Sequence, residues 1–164
     1  MNLGFRLIMQ LPIIRFPLKA KGYSREFVKN ENEWRELYCA IGYYLSNSGL
    51  LNTVTLYYYS GSNSLDSQFL IEKQRCVFAH EGHRLISENK VSFTKNGKVF
   101  DARAACFQYR SCWNGGPLRV LHSELILISL GNLHFKIRST APLEQAPAAQ
   151  SKLRELLEKI NWAF

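Results

Sequence analysis

The sequence predicts an α+β domain: a mostly antiparallel sheet of about six strands, with one middle helix and one C-terminal helix packed on it. Three observations lead there. Period-two alternation recurs in short Val-, Ile- and Tyr-rich segments, most clearly Leu133, Phe135 and Ile137 against His134, Lys136 and Arg138, and that period assigns successive side chains to opposite sheet faces. Turn signals separate these segments closely enough to make hairpins, Asn96-Gly97 above all, because Asn-Gly suits a type I′ turn. Helical spacing is confined to one middle stretch and the C-terminal end. Hairpins make antiparallel neighbours, so strands, helix, strands, helix describes α+β and not a doubly wound nucleotide-binding sheet.

The elements follow in order. Residues 5–16 read as a first strand that Pro12 confines to an edge or a bulge. WRELYCAIGYYL (34–45) and NTVTLYYY (52–59) form a hairpin around Asn47-Ser48-Gly49. The Ser/Gly/Asn stretch 60–64 ends that strand, and its serines or Asp66 can cap a helix from Leu65 to about His80. Leu65, Phe69 and Cys76 fall near one face of that helix, Leu70 and Val77 on the neighbouring one, and Gly82 marks its stop. VSFT and KVF flank Asn96-Gly97 as a second hairpin, and AACFQY (104–109) continues that strand or forms the next. The loop SCWNGGP (111–117) leads to the apolar run LRVLHSELILISL, then Gly131-Asn132 turns the chain into LHFKIRST. In the last helix Leu153, Leu156, Leu157 and Ile160 make one apolar stripe, with Gln150, Lys152, Arg154, Glu155, Glu158 and Lys159 outside it. Glu155 and Lys159 stand at favourable i,i+4 spacing.

With 164 residues and 46% hydrophobic content, the chain reads as one domain over 1–164 that builds its core without help from metal or disulfides. Its net charge of +8 is uneven. Residues 1–29 carry Arg6, Arg15, Lys19, Lys21, Arg25 and Lys29 against Glu26 alone, a basic strand or arm that attracts anionic surfaces. The N-terminal apolar run is broken by Gln10 and Pro12, with no small-residue cleavage site after it. No segment approaches the ~20 apolar residues of a membrane span. A cytoplasmic setting with reduced thiols is expected for Cys39, Cys76, Cys106 and Cys112. Cys106 and Cys112 are near enough in sequence to bridge in an oxidising compartment.

In its layout the chain resembles small bacterial α/β domains of PsbP-like architecture. The features that carry this are the Tyr-rich strand TVTLYYY, a middle helix, and a last strand HFKIRST leading into AAQSKLRELLEKI, over roughly residues 36–160. The resemblance implies the α+β fold and brings no catalytic residues with it. Domains of that kind follow a secretion signal, and this sequence departs from them in showing none.

Four constellations bear on function. CVFAHEGHR (76–84) offers Cys76, His80 and His83, which on a continuous helix share one face as three zinc ligands. Against that, the histidines are three apart with Gly82 between them, not four apart on intact helix, so two solvent-facing histidines at a helix end without metal are expected. Cys106 or Cys112 with His122 or His134 supplies the elements of a thiol–imidazole pair. Asn114-Gly115-Gly116-Pro117 is glycine-rich but precedes a strand, which removes the helix N-terminus a phosphate needs. Finally, Tyr57 and Tyr59 share one side of their strand with Thr53 and Thr55, while the more apolar Val54, Leu56 and Tyr58 face the core. That leaves Tyr57 and Tyr59 exposed beside an adaptable Ser/Gly/Asn segment, a combination suited to recognition. The expectation is a non-enzymatic, cofactor-free domain that binds another protein, with homo-oligomerisation open to it. The alternatives are a metal- or thiol-dependent enzyme centred on residues 76–83 or Cys112, and peripheral binding to anionic lipid or nucleic acid through Lys19, Lys21 and Arg25.

Overall fold

The computed structural model describes residues 13–15, 19–20, 22–31, 38–45, 49–80, 82–113 and 115–163. Ten strands and two α-helices follow in the order β1 (Ile13–Arg15), β2 (Lys19–Ala20), β3 (Tyr23–Glu31), β4 (Tyr38–Leu45), β5 (Asn52–Ser60), α1 (Leu65–Ala79), β6 (Arg84–Lys95), β7 (Lys98–Cys112), β8 (Leu118–Ser129), β9 (Leu133–Pro142), α2 (Ala146–Lys159) and β10 (Asn161–Ala163). A short 3-10 turn, Leu143–Gln145, leads into α2. Eight strands form one sheet in the order β2-β3-β4-β5-β9-β8-β7-β6, and β1 pairs separately with β10. Each pairing is antiparallel. The architecture is therefore α+β as expected, with more strands than six. The expected first strand is present at Ile13–Arg15, and residues 5–12 lie outside the described part.

Both expected hairpins form, although Asn47 and Ser48 of the first turn lie outside the described residues. β4 and β5 run in continuous register from Tyr38↔Tyr59 to Leu45↔Asn52. Asn96 and Gly97 both take positive φ, 51° and 74°, as both central residues of a type I′ turn require. Ser64 caps α1 by accepting from the Ser67 amide at 3.2 Å. From the interior strand β5 the chain crosses along α1 to the far edge, β6, and then meanders back through β7 and β8 until β9 lies beside β5.

Because partners across an antiparallel pair share a face, the register decides what each helix covers. Val54 and Leu56 of β5, Phe135 and Ile137 of β9 and Ile128 of β8 are buried with Leu153, Leu156, Leu157 and Ile160. The alternate residues, Tyr59 of β5, Leu125 and Leu127 of β8 and Phe107 of β7, are buried with Phe69 and Cys76 of α1. The two helices thus lie on opposite faces, and the sheet is the middle layer of three. The α2 stripe is core as its spacing predicts. Each leucine in it contributes roughly 1.5–3 kcal/mol of burial. Its exterior pairs differently from expectation: Lys152 bonds Glu155 at 3.1 Å.

This layering corrects one expectation. Tyr59 is 6% exposed because α1, connecting β5 to β6, lies across its face of the sheet. The side that Tyr59 shares is covered along the length of α1.

Candidate functional site

The α2 face is mostly apolar, with a buried polar node at Asn52 and a second polar group, Glu124, that burial raises and Arg154 and Gln150 of α2 lower. Asn52, fully buried, donates to Tyr23 Oη at 2.6 Å and accepts from Ser139 Oγ at 3.1 Å. Burial raises Tyr23 to about 12, against that bond.

The α1 face is different in kind. Glu72 is 1% exposed and accepts from Tyr59 Oη at 3.1 Å, Gln68 Nε2 at 3.1 Å, Arg75 Nη1 at 2.8 Å and Lys136 Nζ at 2.7 Å. Burial by itself would raise Glu72, but Lys136 and then Arg75 outweigh it and hold the carboxyl below its ordinary value. One turn on, Cys76 Sγ accepts from Arg138 Nη1 at 2.7 Å, while Arg138 Nη2 donates to Ser123 Oγ at 3.1 Å. Thr140 Oγ1 also donates to Ser123 Oγ, at 3.2 Å. The match of helix to strand is metric. Four helical residues rise ~6 Å and two strand residues span ~6.6 Å, so positions 72 and 76 sit over 136 and 138.

The same step carried further would set residue 80 over Thr140, but α1 ends at Ala79. Beyond that end the helix no longer covers the sheet, and a cleft of about 390 Å³ opens. It is lined by Thr53, Thr55 and Tyr57 of β5, Arg138 and Thr140 of β9, Leu121 of β8, Tyr109, Ser111 and Cys112 of β7, then Trp113, with Ala79 and His80 at the helix end. The His80 and His83 rings each stack on Tyr109 at 4.4 Å, and His83 meets Phe107 edge-on at 5.6 Å. His83 Nδ1 donates to the His80 carbonyl at 2.8 Å. Lys136 Nζ stands 3.9 Å from the centroid of the Tyr57 ring, a cation–π contact. Burial raises Tyr57 and Tyr109 and lowers His80, which His83 and Arg138 lower further.

The residues singled out from sequence are divided by this geometry. Tyr57 lines the cleft, whereas Tyr59 is under α1, bonded to Glu72. His80 is exposed and His83 half-buried, both against Tyr109. Cys76 faces Arg138 beneath the helix, and among the described residues no three His, Cys, Asp or Glu side chains assemble as metal ligands. Of the thiol–imidazole pairs, His134 is buried at the other end of α1, its Nε2 donating to the Asn63 carbonyl at 3.2 Å. Gly61 is required there, since a Cβ would come within 2.9 Å of the His134 ring. Cys106 and His122 face the α2 side on adjacent rungs of β7 and β8, but burial raises the thiol and lowers the imidazole, so both rest neutral. Cys112 lines the cleft opposite expectation, with His80 and not His122 or His134, and no hydrogen bond joins it to His80 among the described residues. Cys76, Cys106 and Cys112 are all free thiols. A Cys106–Cys112 bridge is excluded by geometry, because six residues along one strand span ~20 Å and a disulfide needs Cα atoms within ~7 Å.

The basic segment is built in from Tyr23 onward, as β3 pairs along β4. Lys19 is exposed on β2 and Arg25 half-buried on β3; Lys21 lies outside the described residues. No helix among the described residues is long and apolar enough to cross a membrane.

Arg138, Trp113 and Thr140 are the cleft residues that sequence reasoning did not connect. The available signal was β8. LILISL is apolar on both faces, which marks a strand covered on both sides. On adjacent β9, His134 is accordingly buried and Lys136 and Arg138 half-buried.

Fold and site together define a class: a small antiparallel α+β domain, one helix on each face, with a preformed cleft where the crossover helix stops short. No protein-family model matches the chain, and no curated protein matches its sequence. Among solved structures the chain is similar in fold to LpqN of Mycobacterium tuberculosis, a bacterial protein involved in cell envelope biogenesis. The TM-score is 0.51 at 14% identity, over 94% of this chain and 85% of that one. At that identity the likeness is one of fold.

Proposed function

We propose that the chain is a non-catalytic binding domain that receives a segment of another protein in the cleft beside Tyr57. The observation that carries this reading is the early end of α1, beyond which half-exposed Tyr57 and Trp113 and several hydroxyls line a cleft on an otherwise layered sheet. Tyr57, Tyr109 and Trp113 are rigid contact surfaces that lose few rotors on binding, and Thr53, Thr55, Thr140 and Ser111 are hydrogen-bonding groups around them. A cleft of about 390 Å³ falls in the range of ligand sites, ~300–1,000 Å³. Cys76 and Cys106 offer no activated nucleophile in support of the enzymatic alternative, since burial raises both.

The layout of the sheet and helices also supports a PsbP-like architecture for the chain. The free state of Cys76, Cys106 and Cys112 suits a reducing cytoplasmic setting, while the fold likeness to a cell-envelope protein keeps an envelope setting as the other reading.

The test is to pan a displayed random-peptide library on the full chain and measure enriched peptides in solution. Peptides that bind, and lose at least tenfold in affinity with Tyr57→Ala and with Trp113→Ala while both variants keep their melting temperature within a few degrees, support the proposal. The absence of enriched binders, or binders indifferent to both substitutions, would defeat it.

A further inference from the structure

Resting on the reading of the cleft as a binding site, we infer that the group it recognises is a carboxylate carried on a planar apolar body, presented either by a chain ending in an aromatic residue or by a free aryl-alkyl acid.

The argument begins with donors. Arg138 and Trp113 both line the cleft, and each has a buried N–H without an acceptor among the described residues: Arg138 Nε and Trp113 Nε1. A buried donor left unpaired costs about 1–3 kcal/mol, so two beside one cleft point to an acceptor supplied from outside. The charges agree with the donors. A guanidinium stays protonated in proteins, and Arg138 is half withdrawn from water, where a cation gains from a partner. Arg138 spends two of its N–H groups on the neutral partners Cys76 and Ser123. No carboxylate pairs with it among the described residues. Glu72, on the same face, already faces Lys136 and Arg75. Arg138 therefore stands as one uncompensated positive charge, felt across the cleft at Tyr57, Tyr109 and His80.

A carboxylate answers both features. It only accepts, through two oxygens in a plane that fits the guanidinium fork, and its single charge balances Arg138. A phosphate brings more charge than one arginine offsets and finds no helix N-terminus here. The rest of the cleft sets the body: Leu121, Tyr57 and Tyr109 are apolar or aromatic surfaces, and the volume exceeds what a bare carboxylate fills.

The experiment titrates the full chain by calorimetry with 3-phenylpropionate, its amide, inorganic phosphate, and two short peptides ending in Phe, one as the free acid and one amidated. The expected result is at least tenfold preference for an acid over its amide, reduced to less than threefold in Arg138→Lys, with Trp113→Phe weakening the acid about fivefold. Binding of both acids assigns the carboxylate itself as the recognised group. Binding of the peptide acid alone assigns the chain end, and of phenylpropionate alone the free acid. Equal affinity for acid and amide overturns the inference and leaves the cleft reading intact, as does preference for phosphate. No binding by any probe overturns it as well, while library-selected peptides still judge the cleft independently. Should Arg138→Lys fail to fold, the acid–amide comparison on the native chain and Trp113→Phe decide the matter.

Discussion

The two faces of the sheet are built from the same strands and do different things. On the α2 side, residues such as Leu56, Ile137 and Ile128 close against the leucine stripe, with a satisfied polar node at Asn52. On the α1 side, each turn of helix sets a polar or ionisable group against the charged residues of β9, Glu72 over Lys136 and Cys76 over Arg138. Apolar closure is tolerant of small slips and provides stability. A charged layer provides position, because an ion pair withdrawn from water is worth keeping only when its geometry is right. The cleft lies at the end of the positioned layer, where the helix no longer supplies a partner.

The largest effect that tests this contrast is truncation on the α2 face. Leu156 is fully buried, and Leu156→Ala should cost about 2–5 kcal/mol, read from urea denaturation. A loss near half a kcal/mol would mean that α2 is not the principal cover of its face. The charged face should respond less and with a pH signature. Glu72→Gln keeps shape but removes the anion, for an expected ~1–3 kcal/mol at neutral pH. Since Glu72 is held below its ordinary value in the folded chain, its stabilisation is present above the unfolded carboxyl pKa. It is lost as the pH falls through the folded value. Native chain and Glu72→Gln should therefore converge in stability towards strong acid, and parallel curves would show that Lys136 and Arg75 do not hold the carboxylate.

A third comparison tests how α1 is anchored at its start. Ser64→Ala removes the cap on the Ser67 amide and should cost about 1 kcal/mol while leaving the α2 face untouched. Hydrogen exchange should quicken in the first turn of α1 and not in α2. The smallest effect belongs to the cleft rim. Cys112 is exposed and Cys76 1% exposed, so Cys112→Ser should change stability by less than about 0.5 kcal/mol. It should remove a rapid phase of thiol labelling, while Cys76 reacts only on unfolding. Rapid labelling at Cys76 would mean that α1 opens readily.

What sequence revealed divides along the same line. The α2 face was legible because apolar spacing makes most of its contacts: the stripe Leu153, Leu156, Leu157, Ile160 and the alternation at 133–138 each identify their partners by hydrophobicity. Hairpin turns were legible too, since Asn96-Gly97 encodes its backbone locally. The α1 face was not. Its buried set includes Gln68 and Glu72, which periodicity reads as solvent-facing, and His134, Lys136 and Arg138 look like the wet side of an edge. Only the pairing of two polar surfaces makes both burials affordable, and that pairing is a long-range fact. Tyr57 and Tyr59 were read as equivalent because they share a face; the length of α1 separates them, covering one and sparing the other.

The strand order has a kinetic consequence. β2 to β5 and β6 to β9 are two consecutive meanders, each held by neighbours close in sequence, and they meet along a single seam, β5 with β9. Contacts of long separation form late and slowly, so that seam is the natural last step of folding and the first place to part. The cleft straddles it, with Thr53, Thr55 and Tyr57 on one bank and Arg138 and Thr140 on the other. Anything bound there fastens the halves together, and at a hundredfold excess over its dissociation constant would add about 2.7 kcal/mol to the apparent stability. Occupancy would be read as slower exchange of the β5 and β9 amides and a longer-lived fold in the face of proteolysis.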